Sequence, residues 1–286
     1  MQECLAGILG GILMNIAIIG CGYVGIAVAR LWRSAGHAVT VTTTKKERVA
    51  ELEKVAQRVV VARGDDSAAL KEAVENQDVV LLSVGAANGS VYRETYLETA
   101  KNLVEVLGQI PSVRHLLYTG SYSVYGDRNG EPVSEETPVA PVNENGEILC
   151  ETERVLLGAA GENLRVCILR LGGIYGPGRE LAKIFGRVAG TTRPGAGDDI
   201  SNWIHLDDIV GVLEFARLNQ WQGIYNLVND TPLTRRELLD RLCARHGWEK
   251  VSWNPSEKPV FPYNALVSNQ KIKGAGYQLI YPETML

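Results

Sequence analysis

The sequence predicts an α/β protein built on a doubly wound parallel sheet, and three observations predict it. Short runs rich in Val, Ile and Leu alternate with helical patterns from Asn15 to Arg170. The first of these runs ends in Gly20-x-Gly22-x-x-Gly25, and after Gly172 the alternation loosens into segments dense in glycine and proline. Continuously apolar strands are buried on both faces, which implies parallel pairing with helical crossovers, and right-handed crossovers wind such a sheet twice. Rossmann-type architecture follows from the glycine turn at the first strand-to-helix junction.

The elements follow in order. The first strand, Ile16 to Ile19, enters a helix from Val24 to Ala35 whose buried stripe is Val24, Val28, Leu31, Trp32 and Ala35. "AVTVT" is the second strand, followed by a helix from Glu47 onward, and "RVVVA" is the third, followed by a helix from Asp66 to Val74. "DVVLLSV" is the fourth, followed by Tyr92 to Leu107; "HLLYTG" is the fifth, then helical "EILCETERVLL", then "VCILRL". These elements define a nucleotide-binding domain over residues 14–170. Residues 171–286 are expected to form mainly a smaller substrate lobe, with some segments returning to the first domain. That lobe carries helices at Asp208 to Arg217 and Arg235 to Arg245 and short strands such as "GIYNLV". Thr234 is placed as a helix N-cap, with Glu237 in the capping-box position. The start, "MQECLAGILGGIL", carries Glu3 and no basic residue, so residues 1–13 read as an N-terminal extension and not as a secretory leader.

Composition narrows the partners. With 45% hydrophobic and 22% charged residues and a net charge of -4, the chain has ordinary globular composition and no electrostatic reason to bind nucleic acid or an anionic membrane. Beyond this start, whose apolar run flows directly into the first strand, no later segment reaches the roughly 20 apolar residues that span a bilayer. The expected partner is a small-molecule substrate. The five cysteines are odd in number and widely spaced, with no Cys-x-x-Cys pair, which points to a reducing cytoplasm. His37, His115, His205 and His246 show no metal-ligand spacing, so no metal is expected.

Gly20, Gly22 and Gly25 each have a job in dinucleotide binding. The first allows a tight turn, the second lets backbone approach a pyrophosphate, and the third packs helix on strand, with the amides of Tyr23, Val24 and Gly25 at the positive end of the helix. About 20 residues on, an NAD site would place an acid to bind the ribose 2'-hydroxyl. The sequence here is "VTVTTTKKER": Thr42, Thr43 and Thr44 offer hydroxyls, Lys45, Lys46 and Arg48 offer cations, and Glu47 lies already in the next helix. This chemistry suits a 2'-phosphate and predicts NADP over NAD. Asp65 after the third strand and Val84, Gly85 and Ala86 after the fourth are placed beside the cofactor, while Asp66 also fits a helix N-cap.

Further motifs extend along nearly the whole chain. "LLYTGSYSVYGD" with "VYG" at Val124 to Gly126, "EETP" at Glu135, "ILRLGGIYGPGR" from Ile168, "NWIHLDDIV" at Asn202, "GIYNLVND" at Gly223 and "GYQLIYP" resemble the extended and atypical short-chain dehydrogenase/reductases, the NAD(P)-dependent epimerase/dehydratase family. The resemblance implies an NADP-dependent oxidoreductase or epimerase-like enzyme acting on a small carbonyl or sugar-derived substrate. It implies Gly172 at the cofactor, Ser121 as the catalytic hydroxyl, and a homodimer through helices at Tyr92 to Leu107 and Ile148 to Leu157. In that family a Tyr and a Lys in Y-x-x-x-K share proton transfer with the Ser, because cofactor charge and lysine depress the phenol pKa. Anchored on Gly146 and Glu153, the alignment puts Asn145 and Leu149 in the Tyr and Lys positions, and neither Tyr nor Lys occurs between Asp127 and Arg170.

The protein therefore either recruits another acid or performs no such step. Tyr122, Tyr125 and Tyr175 are nearby candidates, and Glu147 and Glu151 share the helix of the missing pair. Tyr125, Tyr175, Arg179 and His205 are candidate substrate contacts, whereas Arg170 is expected to pair within the domain. The three tryptophans Trp203, Trp248 and Trp253 suit an apolar pocket or a core. Two alternatives stay open beside the enzyme: a catalytically silent NADP-binding redox sensor, and an isomerase or lyase that keeps its cofactor bound.

Overall fold

The computed structural model describes residues 12–86, 89–259 and 263–286, so residues 1–11 of the N-terminal extension lie outside the described residues. Strands β1 (Asn15–Ile19), β2 (Ala38–Thr43), β3 (Arg58–Val61), β4 (Val79–Leu82), β5 (His115–Ser121), β6 (Arg165–Leu171) and β7 (Gly223–Leu227) form one seven-stranded sheet in the order β7-β6-β5-β4-β1-β2-β3. β1 pairs in parallel with β2 and with β4, β2 with β3, and β4 with β5. The chain thus runs outward from β1 to β3 and returns on the other side of β1 at β4. Such a reversal places the ligand crevice of an open α/β sheet at the carboxyl ends of β1 and β4. β7, expected among the short strands of the second lobe, is instead the edge of this sheet.

Helix α1 (Tyr23–Ser34) buries Val24, Val28, Ala29 and Trp32, while Leu31 and Ala35 at the margin of the predicted stripe are half-buried. α2 (Ser67–Val74) starts where the Asp66 carboxylate accepts the Ala69 N–H at 3.0 Å, so the N-cap reading of Asp66 holds. The helix expected from Tyr92 begins differently. Glu94–Glu98 forms a π-turn before α3 (Thr99–Leu107), and the Thr99 hydroxyl donates to the Glu94 carbonyl five residues back. α4 (Glu144–Gly158), α5 (Leu206–Leu218) and α6 (Arg235–His246) complete the longer helices.

Two compact units divide the chain. The first comprises Met1–Thr119, Glu151–Ile168 and Leu213–Gly223; the second comprises Gly120–Cys150, Leu169–Val212 and Ile224–Leu286. In the first, the Glu214 carboxylate accepts from Trp32 Nε1 at 2.8 Å and from Arg217 Nε and Nη2 at 2.7 Å. The guanidinium's Nη1 reaches Met14 Sδ at 3.2 Å. A buried ion pair stabilises only when its remaining donors and acceptors are also satisfied, and this pair has those extra partners.

In the second unit, Tyr175, Leu181, Leu238, Leu239, Leu242, Cys243 and Val251 form an apolar cluster, with Trp203, Trp248 and Trp253 packed on it. The tryptophans are half-buried against this cluster. Thr234 and Glu237 form the expected capping box, and the Asp208 carboxylate ties down the C-terminal segment by accepting the Ile280 and Tyr281 N–H groups at 2.6 and 3.0 Å.

His115 on β5 yields a pH prediction for the first unit. Its Nε2 meets the Trp221 carbonyl at 2.9 Å, and burial pushes its pKa down from 6.5 to about 4. The unfolded chain therefore takes up this proton at a higher pH than the folded protein does. The stabilising contribution of the neutral ring is complete above pH 6.5 and is lost as pH falls from 6.5 towards 4. The loss amounts to roughly 3 kcal/mol. His115→Gln keeps a donor for the Trp221 carbonyl, so urea unfolding of the variant should show a flatter stability curve in this window. A curve that keeps the wild-type slope would contradict the assignment.

Candidate functional site

The glycine turn is strapped to its neighbours. Gly20 has φ +92°, and a Cβ there would lie 2.6 Å from the Ser83 carbonyl oxygen and 2.9 Å from Val84 Cγ1. Its N–H donates to Thr42 Oγ1 at 2.9 Å, and the Cys21 N–H donates to the Thr42 carbonyl at 3.0 Å. Arg48 Nη1 closes the strap by donating to the Cys21 carbonyl at 3.0 Å. A Cβ at Gly25 would lie 2.7 Å from the Gly20 carbonyl, so helix α1 can approach β1 only through glycine.

Gly22 is different. A Cβ there would meet nothing within 4 Å, so no packing constraint inside the protein demands glycine. It is also the N-cap of α1, gives no side-chain cap, and is followed by no acidic residue in the first turn. Backbone donors at such a helix start, together with the helix dipole, suit a phosphate group. The site fits a dinucleotide because a backbone with no side chain at Gly22 leaves room for close approach. Cys21 adds no chemistry: burial pushes its thiol up to about 12.

The end of β2 sorts the predicted hydroxyls and cations. Thr42 and Thr43 are buried, at 3% and 6% exposure, and Thr43 Oγ1 accepts the Lys45 N–H at 3.2 Å. Both hydroxyls therefore serve the backbone, and Thr42 is a strut of the glycine turn. Thr44, Lys45 and Lys46 are exposed. Arg48 is bound to the turn and to Glu51 at 3.2 Å. Glu47, expected inside a helix, lies exposed in a short 3-10 turn at Lys46–Arg48.

Asp65 is paired with Arg63 at 3.0 Å on the surface, and the guanidinium holds its carboxyl below the ordinary range. Asn102 Nδ2 fixes the same loop by donating to the Gly64 carbonyl at 2.7 Å. After β4, Val84 abuts Gly20, Gly85 would tolerate a Cβ with nothing within 4 Å, and the Ala86 backbone hydrogen-bonds the Tyr96 hydroxyl. Tyr96 also hydrogen-bonds Tyr92, with ring centroids 4.6 Å apart. Sequence reasoning passed over this pair. Two tyrosines four residues apart, at the start of the helix that follows the fourth-strand loop, were the available signal.

In the second unit, Ser121 ends β5 and caps the turn Tyr122–Tyr125. Its Oγ accepts the Ser123 N–H at 3.2 Å and donates to Ser123 Oγ at 2.9 Å, which fixes its rotamer while it stays half-buried. On α4, Asn145 is exposed and Leu149 is 3% exposed. Glu147 is exposed, and Glu151 is paired with Arg154 at 2.8 Å.

The other candidates are held by internal contacts. Tyr125 is fully buried, its hydroxyl donates to Asn226 Oδ1 at 2.8 Å, and the Arg170 guanidinium lies 4.7 Å over its ring. Tyr122 hydrogen-bonds Asn202 and meets Tyr263 edge-on at 6.2 Å. Tyr175 is 2% exposed, and its hydroxyl accepts the Met285 N–H at 3.0 Å. His205 is 7% exposed, accepts the Asp207 N–H at Nδ1 (3.1 Å), and meets the tilted Tyr281 ring at 3.9 Å; burial lowers its pKa. Gly172 is accounted for by packing, since a Cβ would lie 3.0 Å from the Asn202 carbonyl. Arg179 is exposed, with Nε donating to the Ile174 carbonyl at 3.1 Å.

Residues 16–227 match the family model described as the NAD dependent epimerase/dehydratase family. No protein of curated function matches the chain in sequence. Among solved structures, a functionally unknown conserved protein from Silicibacter pomeroyi is similar with TM-score 0.76 and 21% identity over 95% of each chain. The dTDP-glucose 4,6-dehydratase DesIV of Streptomyces venezuelae, with NAD and TYD bound, gives TM-score 0.77 and 20% identity over 93% of this chain and 92% of that one. The human epimerase family protein SDR39U1 (isoform 2) with NADPH gives 0.76 and 20% over 95% and 96%. At these identities the likeness is one of fold. Among the described residues no helix is long and apolar enough to cross a membrane.

The glycines separate in a stability test. Gly20→Ala forces a Cβ against backbone at positive φ and should lower unfolding stability by about 1 to 3 kcal/mol. Gly22→Ala, whose added Cβ would meet nothing within 4 Å, should lower stability by clearly less than Gly20→Ala does. Equal losses in the two variants, measured by urea unfolding, would overturn the distinction.

Proposed function

Because this chain belongs to the NAD dependent epimerase/dehydratase family, we propose that it is an NADP-preferring oxidoreductase or epimerase-like enzyme that acts on a small carbonyl or sugar-derived substrate. The observation that carries the cofactor reading is Gly22, a glycine at the N-terminus of α1 that packing within the protein does not require. In this reading the amides of Tyr23, Val24 and Gly25 take the pyrophosphate, and Val84, Gly85 and Ala86 flank the cofactor from the β4 side. Thr44 and Lys45, exposed directly after β2, take the 2'-phosphate. Asp65, exposed beyond β3, is the proposed neighbour of the adenosine part. A bound nicotinamide would supply the hydride donor or acceptor.

Ser121 orients the substrate oxygen, and the Ser123 pair holds its hydroxyl in one rotamer before substrate arrives. Of the proposed substrate contacts, Arg179 alone is exposed; Tyr125, Tyr175 and His205 support the second unit from within. A second reading has its own observation. Leu149, in the Lys position, is buried at 3% exposure, which suits a protein that binds NADP without turning over and senses its redox state. Turnover of any carbonyl substrate, lost on Ser121→Ala, separates enzyme from sensor.

Calorimetric titration with NADPH, NADP+, NADH and NAD+ tests the cofactor reading. The expected order favours the phosphorylated forms. Lys45→Ala should cost NADPH about tenfold or more in affinity, the worth of a charge-assisted hydrogen bond, with NADH little changed. Thr44→Asp should shift the preference toward NADH, and Gly22→Ala should weaken all four together. If none of the four binds the wild-type protein, the cofactor reading is wrong.

A further inference from the structure

A phenol stands beside the β4 loop although the helix α4 positions for Tyr and Lys hold Asn145 and Leu149. The π-turn at Glu94–Glu98 adds a residue to the helical turn, which rotates the preceding segment by about 100° relative to an uninterrupted helix. π-turns are rare and occur mostly at functional sites. This one is held by the Thr99 hydroxyl on the Glu94 carbonyl at 3.0 Å. It carries Tyr96, half-buried, with its hydroxyl hydrogen-bonded to the Ala86 backbone and to the Tyr92 hydroxyl.

We propose that the Tyr96 hydroxyl is the general acid/base of this protein, in place of the tyrosine that α4 lacks. The proposal rests on the cofactor reading above, because Ala86 lies in the loop assigned to the nicotinamide dinucleotide. In the oxidative direction Tyr96 would act as the phenolate: an alcohol O–H breaks and its proton passes to that oxygen, which leaves the neutral phenol. The adjacent C–H bond breaks at the same carbon, and its two electrons leave with the hydride, for which oxidised nicotinamide is the acceptor. The reverse step returns the proton from Tyr96 to a carbonyl oxygen.

The groups around Tyr96 decide what tunes it. Tyr92 faces it from its own turn, Tyr118 faces it from β5, and Glu153 of α4 lies behind Tyr118. Tyr118 is fully buried with no hydrogen-bond partner for its hydroxyl among the described residues, and burial together with Glu153 drives its pKa far above 10. Tyr118 therefore stays neutral. Burial holds the Tyr96 hydroxyl above the ordinary tyrosine range, its two hydrogen bonds offset this only in part, and no lysine or arginine lies among the groups named here. In this proposal a bound oxidised nicotinamide would supply the positive charge that lowers the pKa of Tyr96, so its ionisation would follow the redox state of the cofactor.

Tyrosinate absorbance followed against pH tests this without a substrate. It is recorded for the protein alone, with NADP+ and with NADPH, in wild type and Tyr96→Phe. One tyrosine should titrate about 1 to 3 units lower with NADP+ than with NADPH, the shift expected of an opposite charge within about 4–6 Å, and Tyr96→Phe should abolish that titration. Tyr92→Phe leaves the Tyr96 hydroxyl in place and removes one partner, so it should move the same titration upward, which keeps the test decisive if Tyr96→Phe fails to fold. Cofactor binding with no redox-dependent tyrosine, or with one that survives Tyr96→Phe or ignores Tyr92→Phe, overturns the proposal and leaves the cofactor reading standing. No binding of either cofactor overturns both.

Discussion

The contact between Gly20 and the Ser83 carbonyl governs the first unit. The Cβ that Gly20 lacks would lie 2.6 Å from that oxygen, so β1 can turn into α1 directly over the end of β4 only with glycine at this point. The turn so formed hands its N–H groups to Thr42 and its Cys21 carbonyl to Arg48, which locks β1, β2 and β4 into one edge. Gly25 then brings the helix within reach of the same turn. Three strands and one helix end are thereby fixed around Gly22, which is exposed and where a Cβ would meet nothing within 4 Å. A rigid frame at a helix N-terminus suits phosphate recognition, because the donors do not have to be reorganised when the anion arrives.

The second unit shows the opposite economy of polar groups. Tyr125, Tyr175 and His205 look available in sequence, yet each spends its hydrogen-bonding atoms inside the fold, on Asn226, Met285 and Asp207 respectively. Asp208 is similarly consumed in holding the C-terminal segment. The half-buried Ser121, already oriented by Ser123, stands apart from them. A unit that commits its polar side chains to its own architecture leaves few of them for other chemistry.

What was legible in the sequence follows from the range of each interaction. The strand-helix alternation, the glycine turn, the Asp66 cap and the Thr234–Glu237 capping box are set by residues within a few positions of each other, and all four appear in the structure. The pairing of β7 at the sheet edge was not legible, because its partner lies more than fifty residues away and its short apolar run looks the same in a sheet or a lobe. The threonines of "TTTKK" could not be sorted, since it is burial that assigns Thr42 to Gly20 and Thr43 to Lys45 and leaves Thr44 outside. The π-turn was hidden for a similar reason: its sequence, "ETYLE", is ordinary helix, and the Thr99 hydroxyl bond that widens it depends on geometry. Local spacing thus gave the glycine turn and the caps, while the fate of each tyrosine was decided by contacts no local pattern encodes.

Backbone amide hydrogen exchange with and without NADPH tests the central claim most directly, because it reads the amides themselves. The account predicts that NADPH slows exchange at Gly22 to Gly25 and at Thr44 and Lys45, with the strands beneath already protected. Slowing elsewhere with Gly22 to Gly25 unchanged, or no slowing at all, would contradict it.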